Sequence, residues 1–231
     1  MSALNEPQVT LLPAPPRGVW RLGRAEDPLQ YNRLELETSL GSSAGRFSLP
    51  RFGMLYCCSE PAGCYAEGLA PFRVQPVIRG LLDDDDAAAH AALMRPGHLA
   101  SSWREDRILV RLIPSPDARF LDVDCEATRK ILARELHHEL DAWEIDGPLT
   151  DEHIHGKDRR VARQIAAWTV AQRNDAGHML VQGIAYHSGY GGRRCWAILN
   201  DVGLHEAERK AIRAESDELQ EVAKEYGLTV W

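Results

Sequence analysis

The stretch GRFSLPRFGMLYCCSEPAGCYAEGLAPFR, from Gly45 to Arg73, joins a predicted strand directly to a predicted helix and so decides the fold. The apolar run GMLYCC at 53–58 predicts the strand. In the segment that follows, Ser59 is placed to cap a helix and Pro61 suits its first turn. Pro71 then limits this helix to roughly three turns, because proline cannot continue a helix.

Charged residues are sparse in this stretch. Arg46 lies near its start, and Glu67 stands near its end among small and apolar neighbours, with Arg73 as the next charge. A carboxylate is costly to hold in poorly solvated surroundings. The isolated Glu67 is therefore a candidate functional residue.

Composition indicates an ordinary globular domain. The chain has 231 residues, of which 44% are hydrophobic and 26% charged, with a formal net charge of −7. An acidic chain of this kind is poorly suited to bind nucleic acid through its phosphates, although it leaves room for a local basic pocket. The N-terminus has no secretory signal pattern, and no apolar run is long enough to span a membrane. We expect a cytoplasmic protein.

The cysteines favour free thiols over disulfides. Their number is odd and two are adjacent, at Cys57, Cys58, Cys64, Cys125 and Cys195. Most lie in apolar strings, which is typical of buried thiols in a reducing compartment. Since no C-x-x-C pair exists, a structural zinc site is not expected.

Patterns along the rest of the chain predict an α+β domain from residue 18 to 231, preceded by a loose Pro-rich arm at 1–17. Further strands are predicted at 18–24, 107–114, 120–124, 178–188 and 194–200, the last two joined by the turn GYGG. The acidic segment 80–98 is interpreted as a short helix or a mobile insertion. The order lacks a βαβ rhythm, which favours a split, mainly antiparallel sheet with flanking helices.

Helical spacing predicts three later helices. Two are marked by Leu132, Leu136, Leu140 and Trp143, and by Val161, Ile165, Trp168 and Gln172. The third is a long amphipathic helix from Leu204 to Tyr226, closed by Gly227.

Familiar metal and nucleotide motifs are missing. HHELD at 137–141 lacks the second histidine of a zinc-binding helix, and DEHIHG at 151–156 is interpreted as a surface loop. The sequence has no P-loop, no dinucleotide fingerprint after a strand and no G-x-S-x-G elbow. His187 and Ser188 are adjacent in a strand and point to opposite faces, so they do not form a nucleophilic pair.

Five polar residues at the ends of apolar elements remain: Arg21, Arg46, Tyr56, Glu67 and Ser188. Each alone is consistent with a surface residue or a satisfied polar side chain. Together they could form a pocket in which two guanidiniums bind a pyrophosphate, an aromatic face stacks on a ring and a carboxylate stabilises a cationic sugar. Composition alone does not select this interpretation.

The order of three segments favours the interpretation that these five residues form one pocket. VWRLG, GRFSLPRFGMLYCCSEPAGCYAE and QGIAYHSGYGGRRCWAILND follow one another within residues 18–201. In this the chain resembles the RES-domain family, which is named for an arginine, a glutamate and a serine. The resemblance implies a fold related to ADP-ribosyltransferases and a role as the toxin of a bacterial toxin–antitoxin pair.

The resemblance also assigns roles to the five residues. It implies that Arg21 and Arg46 bind the phosphates of NAD, and that Tyr56 contacts the nicotinamide end. Glu67 would be the central catalytic residue, and Ser188 would form a hydrogen bond near the scissile ribose. Tyr56 and Ser188 are thus expected to serve both in binding and in catalysis.

The implied reaction is cleavage of the bond between nicotinamide and ribose, with NAD as a substrate and no true cofactor or metal. The acceptor is open among water, phosphate and a protein side chain, so a mono-ADP-ribosyltransferase is an alternative. A second alternative is a catalytically inactive binding or regulatory protein. The expected partners are NAD, a helix-turn-helix antitoxin of the Xre type and a second copy in a homodimer, without direct contact to nucleic acid or membrane.

Overall fold

The structure is a computed structural model that describes residues 9–33, 45–79 and 92–231. In these ranges it contains the strands β1 (Leu11–Pro13), β2 (Val19–Arg24), β3 (Met54–Cys58), β4 (His98–Leu99), β5 (Arg107–Pro114), β6 (Arg119–Asp122), β7 (Gly183–His187), β8 (Arg194–Leu199), β9 (Leu204–Ala211) and β10 (Thr229–Val230). The helices of the same ranges are α1 (Pro61–Leu69), α2 (Pro76–Arg79), α3 (Ser101–Glu105), α4 (Glu126–Glu135), α5 (His137–Ala142), α6 (Asp151–His155), α7 (Arg160–Ala171) and α8 (Asp217–Tyr226).

Eight strands form one sheet in the order β1-β6-β7-β8-β3-β2-β5-β9. Its neighbours pair antiparallel except β6 and β7, which are parallel. A separate two-stranded parallel sheet joins β4 to β10. The prediction of an α+β fold with a mainly antiparallel sheet and flanking helices is confirmed.

The strand–helix unit predicted from GMLYCC and its sequel lies at the centre of the sheet. β3 sits between β8 and β2, which explains why most of its side chains are buried and why its sequence is an apolar run. α1 packs closely on the end of this strand, since a Cβ on Gly63 would come within 2.9 Å of the Cβ of Cys58. The helix begins one residue later than predicted, with Glu60 as its N-cap. Ser59 instead accepts a hydrogen bond from the indole N–H of Trp196.

The predicted long C-terminal helix is wrong in its first half. Leu204–Ala211 is β9, which pairs with β5 at the edge of the sheet, and only Asp217–Tyr226 is helical. The segment LHEAERKA is rich in good helix formers, yet its first six residues alternate between partly buried and exposed. That alternation fits an edge strand, where charged side chains also discourage pairing with another chain.

Three further expectations need correction or lie outside the described residues. Leu11–Pro13 pairs with β6 and is therefore part of the sheet, so the loose arm is wrong for this segment. The DEHIH of the predicted surface loop forms helix α6, which Thr150 caps through a hydrogen bond from the backbone N–H of His153. The acidic run 83–86 lies outside the described residues. Among the residues that are described, no helix is both long enough and apolar enough to cross a membrane.

Several residues with reactive or charged side chains lie along one edge of the sheet, formed by the ends of its central strands. β6 and β7 are parallel, so the residues that follow them, including Asp124 and Ser188, emerge at the same edge. The antiparallel pairing of β3 with β8 places Cys58 opposite Cys195, so the end of β3 and the start of α1 lie there as well. This edge is where a ligand site is expected.

Candidate active site

A cavity of about 540 Å³ opens at this edge, between the sheet, α1 and the region of α6. Four of the five predicted site residues line it: Arg21, Arg46, Tyr56 and Glu67. The fifth, Ser188, reaches it through a hydrogen bond to Glu67. The fold therefore brings together residues that lie up to 167 positions apart in the chain, from Arg21 to Ser188. We call this space the main cavity.

Glu67 faces the main cavity from the last turn of α1. The residues Ala62 to Ala66 just before it are buried, whereas Glu67 and Gly68 are partly exposed and line the cavity. The hydroxyl of Ser188 donates a hydrogen bond of 2.5 Å to Oε1 of Glu67. The same hydroxyl oxygen accepts the backbone N–H of Tyr190 at 2.9 Å, so its donor is directed to the carboxylate.

The glycine-rich turn between β7 and β8 holds Ser188 in place. The backbone N–H of Ser188 donates to the carbonyl of Arg193 at 2.8 Å, and that of Gly192 donates to the carbonyl of Ser188 at 3.2 Å. Gly191 and Gly192 have φ of 77° and 63°, which glycine adopts without strain. The turn that presents the serine therefore requires Gly191 and Gly192.

The two predicted arginines are anchored by backbone carbonyls. Arg21 donates to the carbonyls of Tyr56 at 3.0 Å and Pro28 at 3.3 Å. Arg46 donates to the carbonyls of Ile154 at 3.1 Å and Gly156 at 2.7 Å. Because these partners are neutral, they orient the guanidiniums without cancelling their charge, as a site for an anionic ligand requires.

The main cavity is electropositive. Burial, and then the neighbouring Arg159, lower the pKa of Arg46, although an arginine side chain stays charged in proteins. Arg21, Arg46 and Arg159 line the cavity together with Glu67, so three guanidiniums face one carboxylate among its described lining residues. Arg21 and Arg46 are bonded to neutral carbonyls, so their charges suit an anionic ligand such as a pyrophosphate.

Tyr56 lines the cavity, and its hydroxyl is hydrogen-bonded within the protein. Its hydroxyl accepts the backbone N–H of Phe47 at 2.9 Å. Ser48 donates to Asn32 at 2.6 Å, so the 3.1 Å contact between Ser48 and Tyr56 has the tyrosine as donor. Burial raises the pKa of Tyr56 to about 12. The hydroxyl is thus neutral and fully occupied, which favours a stacking role over proton transfer.

We therefore expect Tyr56→Phe to keep catalytic turnover within a few-fold of the parent while it destabilises the fold. The change leaves the N–H of Phe47 without its partner, and an unpaired buried group costs about 1–3 kcal/mol. Urea unfolding measures the loss of stability, and release of nicotinamide from NAD, the reaction that the resemblance implies, measures turnover. A hundred-fold loss of turnover without loss of stability would instead assign the hydroxyl a chemical role.

Gly45 is needed for the position of Tyr56. Its backbone N–H donates to the side-chain oxygen of Asn32 at 3.1 Å, and a Cβ at this position would overlap the tyrosine ring and hydroxyl. Either the ring or the loop carrying Arg46 would have to move.

NAD is the ligand that the resemblance implies, and Gly45→Ala is expected to weaken its binding by about tenfold or more, the loss of one charge-assisted contact. Isothermal titration calorimetry measures the affinity. Gly203→Ala is the matched control, because its nearest neighbour would be at an ordinary 3.9 Å. Equal affinities for the two variants would contradict the structural reason given for Gly45.

Four lining residues with a histidine, arginine or tyrosine side chain were not among the sequence predictions: His155, Arg159, Tyr186 and Tyr190. The sequence could have predicted Tyr186 as a site residue, because it lies two residues before Ser188 and so points to the same side of the strand. Burial raises the pKa of Tyr186 well above its ordinary value, so it is a neutral hydroxyl at this cavity. His155 and Arg159 come from the segment interpreted as a surface loop and its sequel.

Comparisons with known proteins identify the family. A comparison with curated protein sequences gave no match. Among solved structures, the M. tuberculosis MbcT-MbcA toxin–antitoxin complex contains a chain with 14% identity and a TM-score of 0.48, over 94% of this chain and 92% of that one. The family model of the RES domain matches residues 18–219, which is most of the chain. The chain therefore belongs to the RES domain family.

Proposed function

We propose that this protein consumes NAD by cleaving the bond between nicotinamide and ribose. The observation that carries the proposal is the pair of Glu67 and Ser188, joined by a hydrogen bond at a cavity that Arg21 and Arg46 also line. These are the residue types for which the family is named, and they meet at one site although the sequence separates them widely. The two guanidiniums of Arg21 and Arg46 suit the pyrophosphate of NAD.

Cleavage of the bond between nicotinamide and ribose requires one negative charge close to the ribose. Nicotinamide leaves as a neutral molecule from a pyridinium, so it needs no proton from the protein. The transition state carries positive charge on the ribose, and a carboxylate held close to it stabilises that charge more strongly where water is excluded. Glu67 is the carboxylate of the main cavity and is surrounded by buried apolar residues of α1. This explains why an acid is kept in an apolar stretch.

Ser188 prepares Glu67 for this role. Its hydroxyl donates to one carboxylate oxygen and is itself held by the backbone of Tyr190. The bond restricts the carboxylate to one orientation, so little reorganisation is needed when charge develops. Tyr56 and Tyr190 line the same cavity, and an aromatic side chain there suits stacking with a flat nicotinamide ring.

The alternative of an inactive binding protein would gain support if the C-terminal helix filled the site. α8 packs instead against α1, where the Tyr226 hydroxyl donates to the carbonyl of Ala66 at 3.3 Å. No residue of Asp217–Tyr226 is among the described residues that line the main cavity. The placement of this helix therefore favours an accessible site.

Analysis of the products of NAD labelled in its adenylate half tests the proposal. The purified protein is incubated with labelled NAD, with and without phosphate, and the products are separated by chromatography. Label in free ADP-ribose or its phosphorylated form is the expected result. Label bound covalently to protein would favour the mono-ADP-ribosyltransferase, and intact NAD would favour the inactive protein.

The proposal extends to a toxin role that acts on the NAD of the cytoplasm. Membership of the family supports an antitoxin with a DNA-binding helix-turn-helix domain that covers the cavity. Expression without an antitoxin should arrest growth and lower cellular NAD, and normal growth with soluble protein present would contradict this role. The expected homodimer stays a prediction, which light scattering of the purified protein would test.

A further inference from the structure

A second cavity adjoins the main cavity on the far side of Ser188. Its volume is about 500 Å³, and its lining includes Asp124, Arg129, Asp151, His155, His187 and Ser188. His155 and Gly189 line both cavities, so the two spaces meet at these residues. Ser188 lines this adjoining cavity and bonds to Glu67 of the main cavity. The adjoining cavity therefore lies beside the carboxylate assigned to the ribose.

Asp124 organises the wall of the adjoining cavity. One carboxylate oxygen accepts Nε2 of His155 at 2.9 Å, and the other accepts the backbone N–H of His187 at 2.6 Å. The Asp124 carboxylate also lies 2.9 Å from Nδ1 of His187 and 3.4 Å from the guanidinium of Arg129. Arg194 is a further 3.9 Å neighbour. Asp124 is thus held in one orientation from several elements.

This network decides which nitrogen of His155 carries the proton. Burial by itself would raise the pKa of Asp124, but the hydrogen bonds from His155 and from the backbone of His187 outweigh it and leave the pKa below its ordinary value. An ionised carboxylate only accepts hydrogen bonds, so Nε2 of His155 is the protonated nitrogen. In the neutral ring Nδ1 then holds the lone pair, which is the arrangement of an oriented general base.

The fold also ties His155 to the main cavity through its backbone. Arg46 donates to the carbonyls of Ile154 and Gly156, the residues on either side of His155. The ring is only 17% exposed, although it ends a short helix. The histidine is therefore positioned from two directions, by Asp124 at its ring and by Arg46 at its backbone.

The charge of the residues that line the adjoining cavity favours water over phosphate as the acceptor of the ADP-ribosyl group. Two aspartates, Asp124 and Asp151, face one arginine, Arg129, among its described lining residues. Arg129 is bonded to both, at 3.4 Å to Asp124 and 2.6 Å to Asp151. A phosphate dianion entering here would meet net negative charge and an arginine that is already paired. A neutral water molecule meets no such penalty.

We infer that the adjoining cavity is the acceptor site for water and that His155 is the general base that activates it, an inference that rests on the proposed NAD cleavage. The water oxygen bonds to the anomeric carbon while the carbon–nitrogen bond breaks. The electron pair of the broken carbon–nitrogen bond stays with the ring nitrogen, so nicotinamide leaves as a neutral molecule. One water proton passes to Nδ1 of His155 and then to solvent. The other product is ADP-ribose. Asp124 is a positioning residue that acts through the histidine.

His155→Gln tests the inference in phosphate-free buffer. Glutamine can still bond to Asp124 but cannot take a proton, so hydrolysis should fall by at least about 10²-fold, the usual contribution of a general base. His153→Gln is the matched control on the same helix, because glutamine at this position preserves the capping box. The control should keep the parent rate.

Two further measurements separate chemistry from structure. His155→Ala leaves space for added imidazole, which should restore hydrolysis by about tenfold or more if a base is what was lost. Asp124→Asn should lower kcat with little change in KM, because the ring loses its orientation while the NAD contacts remain. Melting temperatures identify any variant that has lost its fold, and rescue by imidazole of a folded His155→Ala remains decisive in that case.

The outcomes distinguish this inference from the proposed function. If the parent releases nicotinamide and folded His155→Gln does so at the same rate, the role of His155 is wrong and NAD cleavage stands. If the parent releases nicotinamide only when phosphate is present, water as the acceptor is wrong. If the parent leaves NAD intact, the proposed function itself fails. A loss in His155→Gln together with imidazole rescue of His155→Ala establishes the base.

Discussion

Glu67→Gln is expected to lower NAD turnover by about 10²–10³, the loss that follows removal of one electrostatic stabiliser of a transition state. Glutamine has nearly the same shape as glutamate and can still accept the hydroxyl of Ser188, which bonds Oε1 at 2.5 Å. Only the charge is removed. NAD should still bind, because the arginines and aromatic rings that would hold it are unchanged.

Stability should move little or rise in this variant, since a carboxylate partly withdrawn from water is itself costly to hold. Thermal melting with and without NAD measures folding and binding, and release of nicotinamide measures turnover. Glu60→Gln is the matched control, because it removes the same charge from the exposed N-cap of the same helix. Turnover of Glu67→Gln within a few-fold of this control, in an active protein, would remove Glu67 from the mechanism.

Arg46→Glu is expected to weaken NAD binding by at least about tenfold, because charge-assisted hydrogen bonds contribute roughly 1.5–3 kcal/mol and the new carboxylate also repels phosphate. The variant further loses the bonds to the carbonyls of Ile154 and Gly156. Arg46→Lys separates the two effects, since lysine keeps the charge but cannot make the same forked contacts. Its affinity should lie between those of the parent and Arg46→Glu.

Calorimetry measures these affinities, and Arg134→Glu supplies a control with the same change of charge on an exposed helix position. Unchanged NAD affinity in folded Arg46→Glu would mean that the arginine serves only to hold the neighbouring loop. The site would then need another cation for the pyrophosphate, and Arg159 is the remaining guanidinium that the sequence analysis did not identify.

The central part of the fold could be predicted because its signals are local. An apolar run for β3, a proline at the first turn of α1 and a glycine-rich turn before β8 each act within a few residues. The edge strand β9 could not be predicted in the same way. Its glutamates, alanines and basic residues favour a helix, and only its pairing with β5 settles the strand.

The site residues also differ in whether local sequence signals could predict them. Glu67 stood out because a charge in an apolar stretch is visible in the sequence. His155 did not, because what makes it a candidate base is a bond to Asp124, 31 residues away, and the support of Arg46, 108 residues from Ile154. Such contacts depend on the parallel pairing of β6 with β7, which brings distant segments to one edge of the sheet. Tertiary placement, and not residue type, identifies these residues.

The most direct test of the account is the time course of nicotinamide release from NAD by the purified protein, with Glu67→Gln at the same concentration beside it. We expect the parent to convert NAD to nicotinamide and ADP-ribose in equal amounts, and the variant to bind NAD but convert it about 10²–10³ times more slowly. Intact NAD after incubation with folded parent protein that binds it would contradict the account.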